Sequence, residues 1–535
     1  MKKLLTSVFA LAVAVMAFAQ QGPQVKTANG ILEGTEESGL KVFRGVPFAQ
    51  PPVGDLRWKA PQPVKDWSGV RSAKEFGDDP MQGNPFGDMG LRGKQKSEDC
   101  LYLNIWTPAK SMDEKLPVLI YFNGGGLYAG SGTEARYAGE AMARHGIVSV
   151  TASYREGVFG FFAHPELSAE TTYHGSGNYG FMDQTAAIRW VYDNIEAFGG
   201  DPYRITIVGE SAGSMSVSAQ MATPLTRGLI HQVMASSGSV TVGSIPTLKE
   251  AEDLGVAKFK EVGIKDIKAA RALSAEELIA KIPSSSVPTY NVDGYFFLKQ
   301  PREVFENGEQ LQVPLLVGRN SQEMSAQAYL RGQEATLANM RNVMKSTFGD
   351  DVDKAMQLYG FKTDADVLGK PGVDYAGDMF IAYSTWKFGY LHAKTSGQPV
   401  YRYYFSKPRP AMRAQGVVAG LAGGVERADQ ARTSIKTTPA FVGAVHSADI
   451  EYAMGTLPTN RVYDWQPDDF EVSAQFINYY ANFIKTGDPN GLGLADWHTI
   501  NNQQYPPMLI LDVNSYETVD KTFEERNLFL MNYLH

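Results

Sequence analysis

Short apolar runs recur along the chain, separated by longer stretches with helical spacing. Leu116 to Phe122, Ile147 to Ser153, Ile205 to Val208, Val313 to Val317, Val400 to Phe405 and Met508 to Leu511 are apolar and too short for ordinary helices, so they read as buried strands. Ser97 to Trp106 alternates in the manner of a further strand. Between Asp183 and Phe198, the residues Ile188, Val191, Ile195 and Phe198 fall at spacings of three, four and three. That spacing is one face of a helix, and Gly199-Gly200-Asp201-Pro202 stops it. Helices are also predicted from Ser214 onward and over Phe470 to Lys485. Thr247 to Ala280 and Gln333 to Lys394 read as helical insertions suited to a cap or gorge wall, and Gly30 to Pro61 as turn-rich surface wrapping. The order strand, helix, strand, helix around residue 211 indicates an α/β fold, with a mostly parallel central sheet covered by helices on both faces. No repeat or linker divides residues 20–535, so a single domain is expected.

Composition narrows the function classes. Of 535 residues, 43% are hydrophobic and 20% charged, as in a soluble globular protein. A net charge of -8 without a long basic run argues against a nucleic-acid partner. At the N-terminus, Lys2-Lys3 precedes an almost wholly apolar run from Leu4 to Phe18, and Ala17-Phe18-Ala19 offers small residues for cleavage. Residues 1–19 are thus expected to be a signal peptide, too short for a membrane span, of a secreted or periplasmic protein. The single cysteine, Cys100, has no partner for an internal disulfide, which suits a bacterial exported protein better than an extracellular animal one.

Gly209-Glu210-Ser211-Ala212-Gly213 is the only Gly-x-Ser-x-Gly pentapeptide in the chain, and it joins a predicted strand to a predicted helix. In such a turn the serine oxygen is lifted clear of the sheet, and side chains two positions either side would collide with the neighbouring strand and helix. Ser211 is the candidate nucleophile, although the pentapeptide also occurs by chance in unrelated proteins. A serine hydroxyl needs a positioned base. Of eight histidines, His446 alone lies in a loop of small residues, Gly443-Ala444-Val445-His446-Ser447-Ala448-Asp449. An acid that orients the histidine falls between the two in chain order, and Glu323, just after a predicted strand, meets that condition as other loop glutamates would. Gly124-Gly125-Gly126 follows the strand ending at Phe122. A glycine triplet can be a plain flexible turn, but here the N–H groups of Gly125, Gly126 and Ala212 can together form an oxyanion hole.

With these parts assembled, the chain resembles the type-B carboxylesterases, the α/β-hydrolase family that includes bacterial p-nitrobenzyl esterases, animal carboxylesterases and cholinesterases. The resemblance rests on Phe43-Arg44-Gly45-Val46-Pro47-Phe48-Ala49, Glu98 to Asn104, the glycine triplet, Gly177 to Gln184, Phe198 to Pro202, Gly209 to Gly213 and Thr486 to Asn490, in the family's order. It implies Ser211, Glu323 and His446 as a catalytic triad, with Gly125, Gly126 and Ala212 as the oxyanion hole. It also implies a structural ion pair between Arg44 and Glu98. No metal or organic cofactor is needed, and the partner is a small-molecule or polymer-linked ester.

Four departures stand out. Asn123 replaces a histidine common before the glycines, with little loss expected because the donors are backbone groups. Met324 follows the acid where glycine is usual, and Asp79 occupies the position of Cys100's usual partner. The segment before Glu98 lacks the tryptophan that binds choline, which disfavours a cholinesterase. The main expectation is a secreted serine esterase acting through an acyl-enzyme. Its alternatives are a non-catalytic neuroligin-like binding protein, or an esterase specific for feruloyl or acetyl groups on polysaccharides or for lipids. Pocket walls are expected from the insertions after Thr247 and from Leu127 and Tyr128.

Overall fold

The computed structural model describes residues 22–86, 89–286, 290–420, 424–427 and 443–535; the expected signal peptide lies outside them. The central sheet has eleven strands. In chain order they are β1 (Thr35–Glu37), β2 (Leu40–Pro47), β3 (Tyr102–Thr107), β4 (Leu116–Phe122), β5 (Val148–Ala152), β6 (Gly200–Glu210), β7 (Gln232–Ser236), β8 (Leu315–Asn320), β9 (Val400–Phe405), β10 (Met508–Leu511) and β11 (Tyr516–Thr518). In space the order is β11-β10-β9-β8-β7-β6-β4-β5-β3-β2-β1. Strands from β10 through β5 pair in parallel, while β11 and the β3-β2-β1 flank are antiparallel. The parallel block buries both faces, which is why its strands read as continuous apolar runs. On β4, Val118, Ile120 and Phe122 enter one apolar core and Leu119 and Tyr121 another, so successive side chains serve opposite faces.

Helix α1 (Tyr179–Asn194) and the 3₁₀ turn Ile195–Phe198 after it place Ile188, Val191, Ile195 and Phe198 in the core, as their spacing requires. Helix α2 (Ala212–Ala222) leaves β6 through the single residue Ser211. The insertion after Thr247 opens with α3 (Leu248–Val262), begun by a Thr247–Glu250 capping box and ended by Gly263 at φ +71°. The second helical region ends in α4 (Tyr383–Thr395), entered through a π-helical turn at Asp378–Ala382. A late helix, α5 (Pro467–Thr486), packs Phe476, Tyr480 and Phe483 into the second core.

Two expectations fail here. The stretch from Gly30 to Pro61 is not surface wrapping: β2 is an inner strand of the sheet, and Phe43, Val46, Phe48 and Trp58 are buried. Its register with β3 shifts between Phe43 and Val46, with Gly45 at φ +64°. That irregularity breaks the alternation by which a strand is recognised. The Arg44–Glu98 ion pair is also absent. Arg44 stands on β2 beside β1 and pairs across the hairpin with Glu37, at 2.5 and 2.7 Å. Glu98 receives Arg57 instead, at 2.7 and 2.6 Å, and that guanidinium also donates to the carbonyls of Ala270 and Leu273. Cys100 is a buried free thiol. Asp79, at its usual partner's position, accepts from Thr133 Oγ1 at 2.6 Å and from the Gly93 N–H at 3.0 Å.

Candidate active site

Ser211 sits at the carboxyl end of β6 with φ +58° and ψ -121°, a conformation that costs a non-glycine residue on the order of 1–3 kcal/mol. The surroundings over-determine it. The Ser211 N–H donates to the Ser236 carbonyl at the end of β7, at 2.8 Å, and its own carbonyl accepts from Met215 in α2, at 3.0 Å. The flanking glycines are needed for close approach. A Cβ on Gly209 would lie 2.2 Å from the Gly213 carbonyl oxygen, and one on Gly213 would lie 2.2 Å from that of Phe122. Strand and helix therefore meet at a distance only glycine allows.

Three of the sequence-derived residues come together. Ser211 Oγ lies 3.0 Å from His446 Nε2, and His446 Nδ1 lies 2.6 Å from Glu323 Oε2. In the neutral imidazole the carboxylate fixes the tautomer: Nδ1–H donates to Glu323, leaving Nε2 to accept from the serine. Glu323 Oε1 is held by Ser237 Oγ at 2.5 Å and by the Asn320 N–H at 2.7 Å. The two loops that bring acid and histidine are zipped together. Gln322 N–H donates to the Ala444 carbonyl, Ala444 N–H to Ser321 Oγ, and Asn320 Nδ2 to Asp449.

Sequence reasoning missed Glu210. It lies inside the pentapeptide, where its type carries no signal, yet its Oε1 is 3.4 Å from His446 Nε2 and accepts from Ser447 Oγ at 3.0 Å. Burial works to lower the imidazole pKa, but the charge of Glu210, the hydrogen bond and charge of Glu323, and Asp449 outweigh it and raise His446 to about 9. Burial likewise pushes the Glu210 carboxyl up to about 7, against the pull of His446.

Gly125, Gly126 and Ala212 line the same cavity as Ser211 and His446. Gly125 and Gly126 have φ of +109° and +70°, and neither N–H donates to another described group. The Ala212 N–H lies at the first turn of α2, where the helix favours negative charge. The cavity holds about 390 Å³ and is walled mainly by apolar groups, among them Phe86, Tyr128, Tyr290, Met324, Phe380 and Ile381. Tyr128 and the insertion residues thus contribute as expected, but Leu127 does not: it is buried in the core. Phe380 comes from the π-helical turn and sets its ring edge-to-face with the His446 ring, 5.2 Å away. An activated hydroxyl, free N–H donors and an apolar cavity are together what acyl transfer needs.

Comparisons with known proteins bear on the family of the chain. Residues 21–529 match the Carboxylesterase family. The fumonisin B1 esterase of Sphingopyxis macrogoltabida is 40% identical over 352 residues, an alignment covering 64% of this chain and 63% of that enzyme. A medium-chain fatty acyl-CoA hydrolase precursor of Anas platyrhynchos is 31% identical, with 95% of this chain and 91% of the relative covered. Among solved structures, a carboxylesterase of Geobacillus stearothermophilus superposes with a TM-score of 0.77 at 28% identity, covering 94% of this chain and 99% of that one. A PNB esterase gives 0.76 at 25% identity, covering 95% and 99%. With a family match across nearly the whole length and a structural likeness to α/β-hydrolase esterases, the chain belongs to the carboxylesterase family of carboxylic-ester hydrolases.

Proposed function

We propose that this protein is an exported serine carboxylesterase whose nucleophile, base and acid are Ser211, His446 and Glu323. The observation that carries the reading is the unbroken hydrogen-bond chain from Ser211 Oγ through His446 to Glu323, at 3.0 and 2.6 Å. His446 Nε2 takes the serine proton as Oγ attacks the ester carbonyl. The tetrahedral oxyanion is met by the N–H groups of Gly125, Gly126 and Ala212; a single lost donor of this kind costs about 3 kcal/mol. His446, its charge balanced by Glu323, then protonates the leaving alcohol. Water repeats the attack on the acyl-enzyme with the same base. The retained serine, histidine and acid weigh against a non-catalytic binding role.

Export is read from Lys2-Lys3 and the apolar run to Phe18. No described helix is long and apolar enough to cross a membrane. The aromatic and methionine-lined cavity favours a small ester with an apolar acyl or aryl group, and nothing in it is specific to a sugar polymer. The test is hydrolysis of p-nitrophenyl acetate, butyrate and octanoate by the purified chain beside Ser211→Ala. The serine variant is expected to lose on the order of 10⁶-fold in kcat. A folded unsubstituted protein no faster than Ser211→Ala would refute the reading.

A further inference from the structure

Asn123 stands immediately before the glycine triplet and Glu156 lies against it; both side chains are fully buried and neither lines the cavity. Both Nδ2 hydrogens of Asn123 are engaged, one by the Gly124 carbonyl at 2.9 Å and the other by Glu156 Oε1 at 3.0 Å. The Gly124–Gly125 peptide is trans, so its C=O and N–H point in opposite directions. An anchor on that carbonyl therefore sets the direction of the Gly125 N–H. Without an anchor, a peptide between two glycines turns easily, since neither has a Cβ to restrict it.

We propose that Asn123, held in turn by Glu156, is a positioning residue that locks the Gly124–Gly125 peptide with the Gly125 N–H facing the oxyanion beside Ser211. This inference rests on the esterase reading above. The rest of the loop is braced from the same segment as Glu156. Tyr154 Oη donates to the Asn123 carbonyl at 2.9 Å, and the Gly157 N–H to the Leu127 carbonyl at 2.7 Å. Asn123 Oδ1 and Glu156 Oε2 are both buried without a hydrogen-bond partner. Burial raises the Glu156 pKa well above the usual carboxylate range, against the hydrogen bonds of Asn123 and Tyr154, and so favours its neutral form. Asn123 thus does more than fill a position whose side chain is immaterial.

The experiment compares Asn123→Ala, Glu156→Leu and Glu156→Gln with the unsubstituted full chain. It measures kcat and KM on p-nitrophenyl butyrate, and inhibition by a trifluoromethyl ketone, whose adduct with the serine carries an oxyanion. Thermal unfolding checks that each variant is folded. Asn123→Ala is expected to lose about 10- to 100-fold in kcat with KM nearly unchanged, and to bind the ketone more weakly by the same factor. Glu156→Leu should follow it, while Glu156→Gln, a neutral partner of the same shape, stays within about threefold of the unsubstituted enzyme. Combining Asn123→Ala with Glu156→Leu should cost little more than either alone, because the two act through one carbonyl. If the alanine variant does not fold, Asn123→Asp keeps the volume, lacks the amide donors and is read in the same way. Folded variants whose kcat and ketone affinity stay within about twofold of the unsubstituted chain overturn the proposal and leave the esterase reading standing. An unsubstituted chain that hydrolyses no ester takes both down.

Discussion

Ser211, Glu323 and His446 stand on strand ends and loops tied to one another by backbone hydrogen bonds, whereas the apolar wall of the same cavity is made by side chains from separate loops and a π-helical turn. On the side of the proposed triad, the Ser211 N–H reaches the Ser236 carbonyl, the Ser237 N–H that of Gly318, and the Gln322 N–H that of Ala444, at 2.8, 2.9 and 2.8 Å. Across the cavity, Phe86 and Tyr290 come from loops, Met324 from the residue after the acid, and Phe380 and Ile381 from the π-helical turn. Backbone bonds persist whatever side chains a strand carries, while an apolar wall changes shape with each substitution. On the proposed reading, the reaction and its selectivity are therefore held by separable means in one cavity.

That comparison is broken most severely on the catalytic side. Glu323→Gln keeps shape and volume but presents an amide to His446 Nδ1, which favours the wrong tautomer; kcat is expected to fall about 10⁴-fold. A loss under tenfold, measured on any active ester, would mean that Glu323 is not the orienting acid. Gly213→Ala attacks the scaffold instead. Its Cβ would lie 2.2 Å from the Phe122 carbonyl oxygen, so strand and helix must part and carry Ser211 with them. About 100-fold in kcat and about 1–3 kcal/mol of stability should be lost, read by kinetics and urea unfolding.

Subtler substitutions sharpen the contrast. kcat/KM requires a neutral imidazole, so it declines as the pH falls through the His446 pKa, which lies above the ordinary 6.5. Glu210→Gln removes a negative charge that favours the imidazolium, and the acid limb of the pH profile should move to lower pH. An unmoved limb would leave Glu210 without electrostatic influence on the base. On the far wall, Met324→Ala should alter the octanoate-to-acetate ratio of kcat/KM by about 3- to 10-fold while leaving kcat on acetate within about twofold. A large loss on acetate would erase the division between frame and wall.

The pentapeptide was legible because its constraint is local and steric: two glycines and a serine between strand and helix leave few alternatives. His446 was singled out by the small residues of its loop and Glu323 by chain order and resemblance, and nothing local says that the two meet, since their loops come together across 123 residues of sequence. Glu210 was not legible at all, because nothing in its neighbours' identities says which way its carboxylate turns. The misassigned partner of Glu98 has a related cause. Arg44 and Arg57 both lie far before it in sequence, so chain distance does not choose between them, and only the hairpin pairing of β1 with β2 gives Arg44 to Glu37. The strand β2 was hidden by its own bulge and by the prolines that follow it.

Hydrolysis converts a neutral ester into an anion within a site already bordered by the carboxylates of Glu210 and Glu323. Like charges at short range in a partly dry cavity repel strongly. On the proposed reading, the Glu210 carboxylate opposes retention of the freed acid, while the N–H donors of Gly125, Gly126 and Ala212 and a protonated His446 favour it, so the proton on His446 bears on product release as well as on attack.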